Sequence, residues 1–420
     1  MLQRKSEKGQ ALILIVFAIL GLIALTALAV DGGMAYSERR QAQSAADAAA
    51  LDAGLAKIRG GNLATLVAEG LARAASNGFD NNGTDNTVTI NNPPKAGCNV
   101  AGQYVGNNEY VQVIINTRTD TFFGGVVGVN ELENCVEAVA RAVPGTTAQL
   151  LPGYAVAGLA PSGCDAVYIA GNGQLQTWGG GVFSNSTDTC GLHFQGSSQT
   201  QTHQGSGGLN MVANSYQVTG NPSIQTHGEG SHANMPQIAY PPIDLPNPVC
   251  IGTATKVGNT MTPGSYSGTF PPSGVNTLNS GIYCLSGSFK MNGNDKLTGN
   301  EVLIVLEVGG SLDWNGGAEI KLKAPKSGPF KNLLIFARLG NPNSHPKMYI
   351  NGNSNSELTG TIYMPSIELI INGNNTQLQK TDSQIIAYNV KFSGSSDTQI
   401  HMNANNQYKA PQSPILQLVE

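Results

Sequence analysis

The segment Ile169-Ala-Gly-Asn-Gly-Gln-Leu-Gln-Thr-Trp178 recurs twice in the sequence that follows it. The second copy is Phe194-Gln-Gly-Ser-Ser-Gln-Thr-Gln-Thr-His203, and the third is Val218-Thr-Gly-Asn-Pro-Ser-Ile-Gln-Thr-His227. Each copy has an apolar residue, a turn containing glycine, and a Gln-Thr pair before an aromatic or imidazole ring. A period of roughly 20 to 25 residues with short β-strands is typical of a solenoid, in which each coil stacks on the next.

A second series of triplets, apolar-Asn-Gly or apolar-Ser-Gly, extends this pattern through the C-terminal half. The triplets begin at Met291, Trp314, Ile350, Ile371 and Phe392. Most steps are close to the period of the first series, and the longer step from Trp314 to Ile350 indicates an insertion around 325–346. Stacked coils would place equivalent residues about 4.8 Å apart, with turn asparagines bonding to each other.

These repeats predict an all-β right-handed parallel β-helix over residues 151–410, a Gly/Asn-rich ectodomain. A β-sandwich of antiparallel hairpins is the alternative, because regular strand spacing alone would also fit it.

An apolar run precedes this region. Residues 11–30 carry no charge, and a helix rising about 1.5 Å per residue would cross roughly 30 Å, the thickness of a hydrocarbon core. Arg4, Lys5 and Lys8 precede the run and Asp31 follows it. We expect a single transmembrane helix with residues 1–10 in the cytoplasm and the C-terminal domain extracellular or periplasmic. A cleaved signal peptide is the alternative.

Residues 31–150 are expected to form a stalk helix and a small α+β module. The helix should continue to Arg59, since residues 41–51 are rich in alanine, the best helix former. A second, amphipathic helix is predicted at 63–75 and strands at 87–90, 109–119 and 135–143. A short helix or turn at 121–128 should bury Phe122 and Phe123. Residues 411–420 are assigned to a C-terminal tail.

The composition restricts the possible partners. Charged residues make up 12% of the chain, the net charge is −4, and no basic block occurs, which argues against a nucleic-acid partner. Low charge with 52 glycines suits turn-rich β structure outside the cell.

Six cysteines all follow residue 97, on the predicted outer side, without metal-ligand spacing. An even number outside the cell favours disulfides, and fifteen pairings are possible. Pairing of sequence neighbours is preferred, that is Cys98–Cys135, Cys164–Cys190 and Cys250–Cys284. Buried free thiols are the alternative.

Three N-terminal motifs carry a family resemblance: Gly9-Gln10-Ala11, Val30-Asp31-Gly32 and Gln41-Ala-Gln-Ser-Ala-Ala-Asp47-Ala-Ala-Ala-Leu51. Together they resemble the N-terminal module of TadE/TadG-like proteins from the tight-adherence (Tad, Flp pilus) assembly systems, over roughly residues 6–144. The repeat region is similar in texture to the β-helical extensions of some such proteins. The resemblance implies a membrane protein whose partners belong to the Tad/Flp pilus machinery.

One position departs from the family's pilins. These are cut after a glycine and usually carry Glu five residues into the mature chain, where this sequence has Leu14, counted from Gln10. The departure favours a permanently anchored accessory protein over a processed pilin subunit.

Two groups of residues are candidate interaction sites. A helix-packing face with small side chains could serve contacts of the pilus module, and it comprises Ala45, Ala46, Asp47, Ala49 and Leu51. Trp178, His203 and His227 should stack on neighbouring coils as a ridge for a surface glycan, or as a ladder without a ligand. His232 lies nearby, and Glu229 is the only near candidate for a third metal ligand, so no metal site is predicted.

The sequence favours a structural or interaction role in pilus assembly or adhesion. No GxSxG, HExxH or phosphate-binding loop occurs, and no cofactor is expected. Carboxylates in the repeat region are scattered, with Asp295 and Asp313 beside Lys290 the nearest approach to a catalytic cluster. A glycan-binding or polysaccharide-degrading β-helix protein, a lyase or hydrolase, is the alternative.

Overall fold

The computed structural model describes residues 10–98, 101–240, 247–315, 317–351, 355–374, 378–395 and 397–419. Within these residues lie two α-helices, α1 (Gln10–Ile58) and α2 (Leu63–Ser76), and three short 3-10 helices, Ala101–Tyr104, Gly124–Val127 and Ala404–Asn406. The chain divides into two compact units. The first unit is Met1–Thr146 with Gln412–Glu420, and the second is Thr147–Pro411.

The strands of the N-terminal half, in chain order, are β1 Asn86–Asn91, β2 Tyr110–Asp120, β3 Glu131–Val143, β4 Thr147–Gln149, β5 Tyr154–Gly158, β6 Val167–Ile169, β7 Gln174–Trp178, β8 Gly181–Ser184, β9 Leu192–Gly196, β10 Gln199–Thr202, β11 Leu209–Met211, β12 Gln217–Gly220, β13 Ser223–Gln225 and β14 Ser231–His232. The strands of the C-terminal half are β15 Lys256–Val257, β16 Thr260–Met261, β17 Gly264–Tyr266, β18 Thr277–Leu278, β19 Gly281–Leu285, β20 Ser288–Met291, β21 Lys296–Gly299, β22 Val302–Leu306, β23 Ser311–Trp314, β24 Glu319–Lys323, β25 Leu333–Ala337, β26 Lys347–Ile350, β27 Glu357–Asn374, β28 Leu378–Thr381, β29 Ser383–Ser395, β30 Asp397–His401, β31 Lys409–Pro411 and β32 Ile415–Val419.

The first unit packs half of α1 against an antiparallel sheet. The apolar run at the start of the helix is exposed, whereas six alanines of its second half have no accessible surface: Ala42, Ala45, Ala46, Ala49, Ala50 and Ala53. Their small side chains let the helix approach the fully buried Val111, Val113 and Ile115 of β2. Asn62 caps the N-terminus of α2, and its side-chain oxygen accepts the Thr65 N–H at 3.0 Å.

The C-terminal residues belong to this first sheet. Strands β1, β2, β3 and β32 lie in that order, and Val139 pairs with Val419. Residues 411–420, assigned from sequence to a tail, therefore contain an edge strand. The tail assignment rests on position alone, and the apolar residues Ile415, Leu416 and Leu418 are the overlooked strand signal. The second unit is consequently an insertion between two neighbouring strands of the first.

One expected burial in the first unit is wrong. Phe122 is 73% exposed and Phe123 is 40% exposed, although the 3-10 helix predicted near them is present. The backbone N–H groups of Phe122 and Gly124 donate to the Asp31 carboxylate of α1, and the two rings stay outside the core.

The second unit consists mainly of ladders of parallel strands, and a coil denotes one set of consecutive strands that contributes one strand to each ladder. One ladder runs through β17, β19, β22, β25, β27, β29, β5, β8 and β11. In the described residues of this unit, antiparallel pairing joins β15 to β16 and β4 to β31. Parallel neighbours about one coil apart in sequence are inconsistent with the alternative of antiparallel hairpins.

The stacking order differs from the sequence order. The coil containing β29 and β30 is followed in space by the coil containing β5, β6 and β7, since Phe392 pairs with Ile169. The two series of repeats therefore form one apolar column, in the order Met291, Trp314, Ile350, Ile371, Phe392, Ile169, Phe194 and Val218. All but the terminal Val218 are at most 2% exposed.

The extra residues of the long step between Trp314 and Ile350 lie on both sides of β25. Residues 324–332 precede that strand and residues 338–346 follow it, where the previous coil has much shorter connections. An asparagine pair bonds between β27 and the residue that follows β26, since the Asn372 N–H donates to Asn351 Oδ1 at 2.7 Å.

All three disulfides follow the preferred pairing. Cys98 is bonded to Cys135, Cys164 to Cys190, and Cys250 to Cys284. The first lies in the first unit and the other two in the second. The prediction is confirmed.

Candidate functional site

The predicted ridge lies on a parallel face of the second unit. Strands β30, β7, β10 and β13 are neighbours in that order. Gln174 pairs with Asp397 on one side and with Gln199 on the other, and Gln199 pairs with Ser223. Equivalent side chains of the repeats therefore form straight rows across the strands.

Side chains alternate between the interior and this face. Leu175, Thr177, Thr200 and Thr202 point inward and are at most 1% exposed, while the residues between them remain accessible. The outward rows are polar in the middle and aromatic at one end. The middle row contains Gln399, Gln176, Gln201 and Gln225.

Four rings form a continuous stack at the end of the strands. Trp178 lies between His401 and His203, with ring centroids 4.1 Å away on each side and interplanar angles of 3° and 8°. His227 follows His203 at 4.9 Å and 14°. The faces of Trp178 and His203 are thus covered by their neighbours, and these two rings present their edges to solvent.

Hydrogen bonds orient the imidazoles. His203 Nε2 lies 3.3 Å from Gln176 Oε1, and His227 Nδ1 lies 3.2 Å from the Thr202 carbonyl oxygen. Burial lowers the pKa of His203, and repulsion from His227 and His401 lowers it further. The stack therefore favours neutral imidazole at its centre.

The structure brings the three predicted ridge residues together and adds His401. The missed residue carries a weak signal, because Gln399-Ile400-His401 resembles the Gln-Thr-His ends of the other copies. The long stretch of sequence between His227 and His401 breaks the regular spacing, so residues 399–401 are not identified as a further copy. Glu229, considered as a metal ligand, accepts the Gly205 N–H at 2.7 Å. The described residues contain no group of three side chains suited to hold a metal ion.

The carboxylates nearest to a catalytic cluster in sequence are engaged locally. Lys290 lies opposite Asp313 on adjacent strands, and Asp295 Oδ2 accepts the Asn292 N–H at 2.6 Å. Other carboxylates are ion-paired with lysines of the same or a neighbouring strand. Glu319 lies 2.9 Å from Lys296 and 2.8 Å from Lys321, and these cations lower its pKa.

The predicted helix-packing face is turned into its own unit. Ala45, Ala46 and Ala49 are fully buried against the sheet, and Leu51 packs partly buried at its margin. Asp47 Oδ1 accepts a hydrogen bond from Gln43 Nε2 at 2.9 Å. The close approach expected of the small side chains is therefore made to strands of the same chain.

Comparison with known families agrees with this N-terminal element. Residues 9–57 match the family model Tad, described as putative Flp pilus-assembly TadE/G-like. This segment is TadE/G-like. The match covers the exposed apolar run and the buried alanine face of α1, both quoted above for the resemblance. Searches of curated proteins and of solved structures found no match.

The same TadE/G-like helix is a candidate membrane anchor. Among the described residues, Leu12–Ile58 is one helix long and apolar enough to cross a bilayer, and its most apolar window has no burial within the protein. The exposure of large side chains such as Leu14, Phe17 and Leu22 is consistent with a membrane anchor.

Proposed function

We propose that this chain is a membrane-anchored accessory protein of Tad/Flp pilus assembly or adhesion, with a structural and interaction role. The observation that carries the proposal is the TadE/G-like match, which coincides with a helix that is apolar in one half and packed in the other. We place the N-terminus in the cytoplasm, because cations precede the apolar run. The disulfides support an oxidising location for both units.

We also propose that the parallel ladders of the second unit coil as a right-handed β-helix. Crossovers between parallel strands of one sheet are right-handed in about 98% of cases, and the ladders here join strands one coil apart. In this proposal the second unit is the surface-exposed part of the protein, and the inserted coils contact the pilus machinery or another surface.

The anchor is tested by a charged double variant. Leu20→Lys with Ile23→Lys should move the protein from the membrane to the soluble fraction, because each lysine at the centre of a span costs about 2.5 to 3.5 kcal/mol. The matched control is Leu20→Ala with Ile23→Ala, which should stay in the membrane. Retention of the lysine variant in the membrane would contradict the proposed anchor.

The role in assembly is tested by deletion. Loss of the gene should reduce surface piliation, and the full chain should restore it, whereas the double-lysine variant should not. Crosslinking in membranes should recover pilus-assembly components with the full chain. Normal piliation after deletion would overturn the proposed role.

Glycan binding remains the second candidate for the second unit, favoured by the row of accessible glutamine amides beside the ring stack. A ligand there would meet amides and ring edges, since the faces of Trp178 and His203 are covered. A polysaccharide panel tests it, with turnover of any member indicating a lyase or hydrolase. Unchanged glycan retention by Gln201→Ala and His227→Ala variants would exclude this face.

A further inference from the structure

The turn that carries Phe122 and Phe123 is attached to the end of the apolar run. The backbone N–H groups of Phe122 and Gly124 donate to the Asp31 carboxylate at 2.9 and 2.7 Å. Phe123 donates to the same carboxylate at 3.1 Å. Three donors on one carboxylate fix the turn beside this point of the helix, because charge-assisted hydrogen bonds are among the stronger ones.

The position of Asp31 determines the depth of the turn relative to the bilayer. It directly follows the uncharged run of residues 11–30, so a bilayer crossed by that run ends at Asp31. The rings bonded to it through their backbone are therefore at the outer membrane–water boundary. Two other exposed residues are near neighbours of these groups in the sequence. Val129 precedes Asn130, whose carbonyl oxygen accepts the Thr121 N–H that closes the turn. Tyr36 follows Asp31 by little more than one helical turn.

We propose that the Phe122–Phe123 turn is a second membrane contact, which inserts its aromatic rings into the interfacial layer of the bilayer that α1 crosses. Amphipathic segments bind membranes by burying such side chains at the boundary of headgroups and acyl chains. The inference rests on the proposed membrane anchor. It explains why two large rings are exposed at 73% and 40% although their unit has a packed core.

The charges around the turn indicate the lipid class. Asp120 and Glu131 pair in register where the strands enter and leave the turn, and neither is buried. Two carboxylates beside the rings disfavour an anionic surface, so we expect contact with zwitterionic headgroups. The contact then depends on apolar burial and should be insensitive to salt.

The contact fixes the orientation of the first unit on the membrane. One anchor helix leaves a domain free to tilt, whereas a second contact beside it restricts that freedom. The opposite end of the unit is distant, because Lys57 Nζ donates to the Asn108 carbonyl oxygen and lies roughly 39 Å along the helix from Asp31. Asn108 is exposed and provides a matched control position.

The test uses the full chain in vesicles of two phosphatidylcholines, one brominated near the headgroup end of its acyl chains and one brominated near their methyl end. Tryptophan is introduced by Phe122→Trp, with Asn108→Trp as the aqueous control and Leu20→Trp as the control within the apolar run. Emission of the parent chain, which contains Trp178 and Trp314, is subtracted. We expect brominated lipid to quench the added emission of Phe122→Trp and Leu20→Trp and to leave that of Asn108→Trp unchanged.

Each outcome decides between the contact and the anchor. Quenching of Leu20→Trp without Phe122→Trp keeps the anchor and overturns the contact. Shielding of Phe122→Trp from both lipid and aqueous acrylamide also overturns it, since the rings would then meet protein. Absence of quenching in Leu20→Trp overturns the anchor itself. Adding Asp31→Ala to Phe122→Trp should reduce its quenching to near the Asn108→Trp level while the protein stays in the vesicle fraction.

Discussion

At the scale of residues, the ring stack shows how a repeat turns one side chain into a row. His401, Trp178, His203 and His227 lie at the same end of neighbouring strands, and pairing in register aligns them. Every ring contact is repeated from coil to coil. The stack therefore stabilises the stacking of coils whether or not it binds a ligand.

Replacing the central ring should weaken the second unit. Trp178→Ala removes two stacked pairs, each worth about 0.5 to 1.5 kcal/mol beyond burial, so we expect a loss of about 1 to 3 kcal/mol in the free energy of unfolding. Urea unfolding followed by circular dichroism measures it. Gln201→Ala, on the same face without a ring, should change the value by less than about 0.5 kcal/mol. Equal effects of the two variants would argue against a contribution from stacking.

The imidazoles should make stability depend on pH. The pKa of His203 is lowered in the folded protein. As the pH falls below the ordinary value of 6.5, the unfolded chain therefore binds more protons than the folded protein does. Stability that is present above that value is therefore lost as the pH falls toward the folded pKa. The melting temperature should drop over this window, and His203→Phe, which keeps a ring but cannot titrate, should reduce the drop. An unchanged drop would assign it to other groups.

At the scale of elements, the coil of β29 and β30 joins two stacks that are far apart in sequence. Phe392 is fully buried between Ile371 and Ile169, although Ile169 lies near the start of the second unit and Phe392 near its end. The apolar column is continuous only because this coil pairs on both sides. The joint between the stacks is as well packed as the coils themselves.

A cavity at this joint should be costly. Phe392→Ala should destabilise the second unit by about 3 to 5 kcal/mol, because the ring is buried and flanked by rigid ladders. The control is Val218→Ala, in the same column but 48% exposed at its end, which should cost less than about 1 kcal/mol. Thermal unfolding compares the two. Similar small effects would mean that the two stacks separate easily.

At the scale of the whole molecule, the chain is one unit inserted into another. It leaves the first unit at Thr146 and returns at Gln412, whose N–H donates to the Thr146 carbonyl oxygen at 2.6 Å. The returning strand β32 places Leu416 close to Gly54. A Cβ added to Gly54 would lie 2.8 Å from Leu416 Cδ1. The last residues of the chain thus complete the sheet that begins near residue 86.

Truncation tests this arrangement. Removing residues 412–420 should destabilise the first unit by roughly 2 kcal/mol or more. The strand β3 would lose its neighbour β32, and the apolar surface of α1 that Leu416 covers would be exposed to water. Hydrogen exchange should show faster exchange in β3 and unchanged protection in β7 and β10. Leu416→Ala should produce a smaller change of the same kind. Unaltered protection of β3 after truncation would show that β32 is dispensable.

Much of this organisation is accessible from sequence. The match of Ile169, Phe194 and Val218 predicts the register of three coils, because a parallel stack pairs equivalent positions. The alanine-rich segment indicates close helix packing, but its partner is a strand face of the same chain. The exposure of Phe122 is missed, because hydrophobicity alone cannot distinguish a side chain that packs in the core from one that the fold leaves exposed.

Local pattern by itself indicated the apolar helix, the spacing of the ring-bearing segments and the preferred disulfide pairing, because each depends on residues that are near one another in the sequence. Tertiary structure decided that Phe392 stacks on Ile169, that His401 joins Trp178, and that the chain's end returns to its first sheet. The physical reason is that each coil offers two equivalent open faces. Periodicity specifies which residues of two stacked coils pair with each other. Complementary packing between segments that are distant in sequence decides which two coils become neighbours.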